Sequence, residues 1–306
     1  MLLLAVPILL ASGALGAWKA TEGGSSSPQT VAARQEPAPV RRAAPKATRP
    51  AAPLLIVRRP LARGPRIAAP AGILVDAGTG TVLWAKRPHL RRPIASTTKI
   101  MTAIVALSRL GAKDIVTIDR SVPRVAAFRE GLRAGERVPA WKLFYGLLLY
   151  SGNDDALALA IASAGSRGAF IHFMNERARQ LGLRHTHFST PSGLVDRGNY
   201  STAWDMAALT RYAMWSPRFR AIVRTRVKRV SWPAPTYSKI YVSKNHLLGT
   251  YRGADGVKTG WTTLARHCLV ASAHRHGIRL IAVVLGSTDA YADARRLLDF
   301  GFASRG

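Results

Sequence analysis

The chain has 306 residues, 48% of them hydrophobic, with 45 lysines and arginines against 16 acidic residues, a net charge of +29 and one cysteine, Cys268. The apolar half is enough for one large domain or two small ones and excludes a wholly disordered chain. A lone cysteine excludes a disulfide scaffold and any cysteine-rich metal site, and the positive excess points to polyanionic partners, either nucleic acid or an envelope surface rich in phosphate and carboxylate.

Residues 1–17 carry no charge, and their Leu/Ile run is followed by small residues, with Ala14-Leu15-Gly16 readable as a cleavage box. This segment reads as an export signal or short membrane anchor, although it lacks a basic start and falls short of the about 20 residues of a full span. Residues 18–70 turn to Ala, Pro, Arg and Ser, with ten basic residues against Glu22 and Glu36. They read as a disordered basic linker, which leaves 71–306 as the folded domain and +21 of the charge on it.

In the domain, ILVDAG, a Gly-Thr-Gly turn and TVLWAKR predict a β-hairpin beginning at Gly72. From Ser96 to about Arg220 the periodicity is helical: IMTAIVALSRL closing at Gly111, then WKLFYGLLLY, DDALALAIASA, and AFIHFMNERARQLG with Gly182 at its C-terminus. Ser201 is the expected N-cap of TAWDMAALTRYAMW. Strand alternation returns in KIYVSKN, GVKTGWT, HCLVASAH and IRLIAVVLG, with short connections that favour antiparallel neighbours, before an amphipathic helix in AYADARRLLDFGF. The order predicts an α/β fold: an antiparallel sheet built from both ends of the domain, a helical subdomain inserted between them, and a cleft where the lobes meet.

Three short motifs occur in order: Ser96-Thr97-Thr98-Lys99, Ser151-Gly152-Asn153 and Lys258-Thr259-Gly260. An SxxK pattern arises by chance about 0.7 times in a chain of this length, whereas a fixed tripeptide such as KTG arises about 0.04 times. Ser243-Lys244-Asn245 is a second SxN match, but it falls in an expected strand just before KTG, where it would crowd the same edge. At a helix start, positions i and i+3 share a face, so Ser96 and Lys99 can meet. A serine becomes a nucleophile when a base takes its proton. Lys99 can be that base only when neutral, which requires burial or a second cation, and Lys258 is the expected one. Each motif also has a plainer reading: Ser96 as a helix cap, Ser151 to Asp154 as a turn and cap, Lys258 as a surface lysine. Their joint order in a two-lobed architecture favours catalysis.

The flanking sequence resembles the penicillin-binding D-alanyl-D-alanine carboxypeptidases, the low-molecular-mass serine peptidases of bacterial cell walls. The likeness runs through AGILVDAGTGTVLWAKR, IASTTKIMTAIVAL, LFYGLLLYSGNDDALALA, MNERARQLGLRHTHFSTPSGL, NYSTAWDMAAL, ADGVKTGWT and HCLVASA. It implies the serine-peptidase and β-lactamase type of fold, with Ser96 as acylated nucleophile, Lys99 as its base, and Ser151 and Asn153 on the helical side of the cleft. By the same resemblance Lys258 and Thr259 bind the substrate's terminal carboxylate, and the oxyanion sits between the N–H groups of Ser96 and of Trp261, which follows Gly260. Arg266 stands where many relatives have glycine. Only 46 residues follow Gly260, room for two strands and a helix, so the β-rich second domain of many relatives is expected to be missing.

The expected partners are peptidoglycan stem peptides, β-lactams as covalent inhibitors, and anionic membrane or wall polymers through the basic arm; the expected location is the periplasm or the outer face of the membrane. No cofactor, metal or nucleic acid is expected, since the chain shows no nucleic-acid reading module and His185 and His187 complete neither a zinc motif nor a triad. A class A β-lactamase is disfavoured because no glutamate follows Glu176. A cross-link-cutting endopeptidase and a non-enzymatic envelope protein or β-lactam sensor remain as alternatives.

Overall fold

The computed structural model describes residues 54–57, 64–126, 128–194, 198–231 and 238–304, so the expected leader and most of the expected linker lie outside the described residues. Strand β1 (Ile56–Val57) precedes β2 (Ala71–Asp76) and β3 (Thr81–Lys86), which form the expected hairpin. The helical lobe follows: β4 (Arg92–Pro93), a 3-10 turn (Ala95–Thr98), α1 (Lys99–Leu107), the small hairpin β5 (Ile115–Thr117) and β6 (Arg137–Pro139), and α2 (Ala140–Tyr145). A π-helical turn (Gly146–Tyr150) leads to α3 (Asn153–Ala164), α4 (Arg167–Gln180), β7 (Tyr200–Ser201), α5 (Ala203–Ala213) and α6 (Pro217–Val223). The chain then makes the hairpin β8 (Val227–Val230) and β9 (Lys239–Val242), and ends in β10 (Ala254–Thr262), β11 (Arg266–Arg275), β12 (Ile278–Ser287) and α7 (Ala290–Ala303).

The main sheet has the order β1-β3-β2-β12-β11-β10, antiparallel except for the β1/β3 pair. Because side chains alternate along a strand, β12 sends Ile281, Val283 and Leu285 into the core shared with α1, α3 and α5, and Leu280, Ala282 and Val284 into a second core under α7. The central strand is thus buried on both faces, which accounts for its unbroken apolar run. β10 lies at the sheet edge, against the 3-10 turn of the helical lobe, and this is where the cleft opens.

Three expectations change. The domain does not begin at residue 71: Leu54, Leu55, Ile67 and Ala69 are buried, and β1 pairs with β3. The Asp293 carboxylate accepts the N–H groups of Ala68 and Ala69 at 2.9 Å each, and Arg211 donates to the Leu54 carbonyl at 3.1 Å. A segment too poor in apolar residues to make its own core is therefore held by one made elsewhere. The N-cap of α5 is Thr202, whose hydroxyl accepts the Asp205 N–H at 3.0 Å, while Ser201 pairs with Arg92 in the β4/β7 bridge. α1 ends at Leu107 rather than reaching Gly111.

Candidate active site

Ser96 lies within the 3-10 turn, and no side-chain bond caps that turn. Three residues per turn make i and i+3 eclipse, which sets Lys99 directly on Ser96. Lys99 Nζ lies 3.0 Å from Ser96 Oγ, 2.8 Å from Asn153 Oδ1 and 3.0 Å from the Ser192 carbonyl. The Lys99 side chain is fully buried, and burial lowers its pKa to about 7; the Lys244 charge acts in the same direction, while Asp155 and Asp154 oppose it. A neutral amine has two N–H donors and one lone pair. With Asn153 Oδ1 and the Ser192 carbonyl taking the two protons, the lone pair is left for the Ser96 hydroxyl.

Ser151 occupies the corner between the π-helical turn and α3, with a left-handed φ of 74°. Its N–H donates to the Gly146 carbonyl at 2.8 Å, and Asn153 N–H donates to the Phe128 carbonyl at 2.9 Å. Asn153 Nδ2 reaches the Ala126 carbonyl at 3.3 Å, which orients its Oδ1 toward Lys99.

The opposite wall is β10. Lys258 is buried beneath it, its ammonium donating to the Thr259 carbonyl at 3.0 Å, and burial with the charges of Lys99 and Lys244 pushes its pKa well below the usual lysine range. Gly260 permits the close approach of the two lobes: a Cβ there would stand 2.9 Å from the Ser96 backbone nitrogen. Ser96, Ser151, Thr259, Gly260 and Trp261 line one cleft of about 330 Å³, with Lys99, Asn153 and Lys258 set behind its surface. Arg266, which faces Thr262 across the β10/β11 turn, has φ 59°, a conformation that costs an arginine more than a glycine.

Lys244 is the residue that sequence reasoning passed over. β9 ends at Val242, so Lys244 does not crowd the KTG strand; its N–H donates instead to the Leu149 carbonyl at 3.2 Å, joining it to the helical wall. Its ammonium lines the cleft between the rings of Phe128 and Tyr150, 4.9 and 4.8 Å from their centroids. The rejected second SxN match was the one local signal for it. Phe128, His246, His267 and Tyr291 also line the cleft and carried no such signal. Cys268 borders it too, but burial pushes its thiol up to about 11, which makes it a poor nucleophile. Among the described residues no group of three or more His, Cys, Asp or Glu side chains is placed to hold a metal ion.

A buried lysine against a serine, with a second cation-bearing strand across a cleft, on a sheet flanked by a helical lobe, defines a serine peptidase of the acyl-transfer kind. Residues 59–289 match the family model described as D-alanyl-D-alanine carboxypeptidase. The D-alanyl-D-alanine carboxypeptidase of Streptomyces sp. (strain K15) is 38% identical over 258 residues, covering 78% of this chain and 89% of the relative. The D-alanyl-D-alanine carboxypeptidase DacF of Bacillus subtilis (strain 168) is 34% identical over 245 residues, covering 77% of this chain and 62% of the relative. The crystal structure of the Streptomyces K15 DD-transpeptidase superposes with a TM-score of 0.75 at 37% identity, over 79% of this chain and all of that one. The chain belongs to the D-alanyl-D-alanine carboxypeptidase family, serine DD-peptidases of the bacterial cell wall that act on peptidoglycan stem peptides and bind β-lactams.

Proposed function

We propose that the chain removes the terminal D-alanine of stem peptides through an acyl-enzyme on Ser96. The observation that carries this reading is the 3.0 Å contact between Ser96 Oγ and a Lys99 amine whose pKa is lowered to about 7. Lys99 takes the hydroxyl proton as Ser96 Oγ attacks the carbonyl of the penultimate D-alanine. The tetrahedral oxyanion is held by the N–H groups of Ser96 and Trp261. As the tetrahedral intermediate collapses and the peptide C–N bond breaks, Ser151, fixed at its corner beside Asn153, passes the proton taken up by Lys99 to the nitrogen of the leaving D-alanine, whose carboxylate is bound by Thr259 in the positive field of Lys258 and Lys244. Water then cleaves the ester with Lys99 again as base, returning free Ser96. A β-lactam follows the first half of this course, leaving its opened ring esterified to Ser96.

The reading includes export across the membrane, supported by the uncharged Leu/Ile-rich start and the family's cell-wall substrates. It also includes attraction of the basic residues upstream of the domain to anionic lipid or wall polymers, supported by their charge. The decisive experiment pairs peptide mapping of a penicillin adduct with mass spectrometry of purified muropeptides. An adduct on Ser96 with release of D-alanine from pentapeptides is expected. Cutting of cross-linked dimers with pentapeptides untouched would make the chain an endopeptidase, and an adduct without turnover of either would make it a sensor.

A further inference from the structure

Beneath the Ser151 corner lie two buried carboxyl groups that the acylation steps do not use. Asp155 is the third residue of α3 and has no exposed surface, and the Glu130 side chain is 1% exposed. The neighbouring Asp154 fixes the Glu130 segment: its carboxylate accepts the N–H groups of Glu130 at 2.9 Å, Gly131 at 2.8 Å and Leu132 at 3.2 Å. Glu130 Oε1 accepts the Tyr241 hydroxyl and lies 3.6 Å from Lys239 Nζ, both on β9. Glu130 Oε2 and both Asp155 oxygens receive no N–H or O–H from any described residue. They face each other against the corner itself. A Cβ added to Gly146 would run into Glu130 Oε2 and Asp155 Oδ1, and one added to Gly152 would run into Asp155 Oδ2.

Two buried carboxyl groups in contact, their facing oxygens given no N–H or O–H by any described residue, are joined most directly by a proton of their own. We propose that Glu130 and Asp155 share one proton, and that this pair is a positioning device that holds the Ser151–Asn153 corner and keeps a second negative charge away from Lys99. Burial raises both carboxyls above the usual range, Asp155 most strongly; the charges of Glu130 and Asp154 add to the rise at Asp155, whereas at Glu130 the Tyr241 hydroxyl, Lys239 and the bond to Asp155 oppose it. The other groups facing the pair are Asp154 on the same helix, Tyr241 and Lys239 on β9, Lys142 on α2 and Lys99 on α1. Lys99 makes the pair matter for the reaction, since negative charge on Asp155 raises the Lys99 pKa. When the shared proton leaves, the corner loses its clasp and the Lys99 ammonium is favoured, so both effects slow acylation. The consequence rests on Ser96 acylation as read above.

The test is the pH dependence of acylation by a labelled penicillin, with infrared spectra of the same full-length proteins. Asp155→Asn and Glu130→Gln each keep one negative charge and put an amide N–H, which does not titrate, where the proton was. The parent should show a limb rising through about pH 7 as Lys99 loses its proton and a falling limb at higher pH as the shared proton leaves. In either variant a rising limb should persist, displaced downward in Asp155→Asn, where the remaining charge sits on Glu130, and upward in Glu130→Gln, where it sits on Asp155, while the falling limb should vanish or move up by at least about one pH unit. The infrared band of a buried protonated carboxyl should be present in the parent at neutral pH and lost in both variants. A falling limb unchanged in both variants, or a carboxyl band that neither removes, would overturn the proposal. The band does not depend on which serine is acylated, so a misassigned nucleophile is told apart from an absent shared proton; if one variant fails to fold, the other decides.

Discussion

The two walls of the cleft each hide one lysine, and they hold it differently. On the helical wall, Lys99 Nζ meets two acceptors, the Asn153 amide oxygen and the Ser192 carbonyl, and the Ser96 hydroxyl. On the strand wall, the one hydrogen bond of the Lys258 ammonium among the described residues is to the carbonyl of the next residue, Thr259. Both lose basicity through burial, yet among the described residues it is the helical wall that aims a lone pair at a hydroxyl, that of Ser96. Burial alone therefore makes a weak base, and direction, set by the acceptors around it, makes a useful one.

The largest expected effect breaks the helical wall at the nucleophile. Ser96→Ala should abolish labelling by penicillin and release of D-alanine, and an adduct persisting on another residue would refute the assignment. Next comes Lys99→Ala, which should slow acylation by about 10²- to 10⁴-fold while Ser96 remains the labelled residue, because the hydroxyl keeps its place and loses its base. Rapid-quench labelling measures both.

The strand wall should respond in another way. Amidating the substrate's terminal carboxylate should lower kcat/KM in the parent by about tenfold or more, with much less further loss in Lys258→Ala. Equal cleavage of acid and amide by the parent would remove the carboxylate-reading role of that wall.

The smallest effect joins the two walls. The Lys244 charge lowers the pKa of Lys99, so Lys244→Gln should move the rising limb of the acylation profile upward from about 7, by up to about one pH unit, with little change in the plateau. An unmoved midpoint would show that the Lys244 charge takes no part in tuning Lys99.

The amino-acid order by itself determined what depends on neighbours in the chain. Ser96 and Lys99 meet because an i,i+3 spacing brings side chains together at any helix start, and β12 reads as a core strand because its apolar run is unbroken. The Ser151, Asn153 and Lys258 positions were legible as motifs, but their roles needed a fold to bring the two walls to one cleft. What only the tertiary structure decided involves residues far apart in sequence. The segment at Ala68 and Ala69 is held by Asp293, more than 220 positions away, so its composition alone reads as linker. Lys244 sits between the rings of Phe128 and Tyr150, and Glu130 meets Asp155 across 25 positions. Charge, burial and proton sharing are properties of such assembled neighbourhoods. A lysine reads the same in every sequence, and it becomes a base near neutral pH only where the packed chain removes its water and leaves its lone pair one place to point.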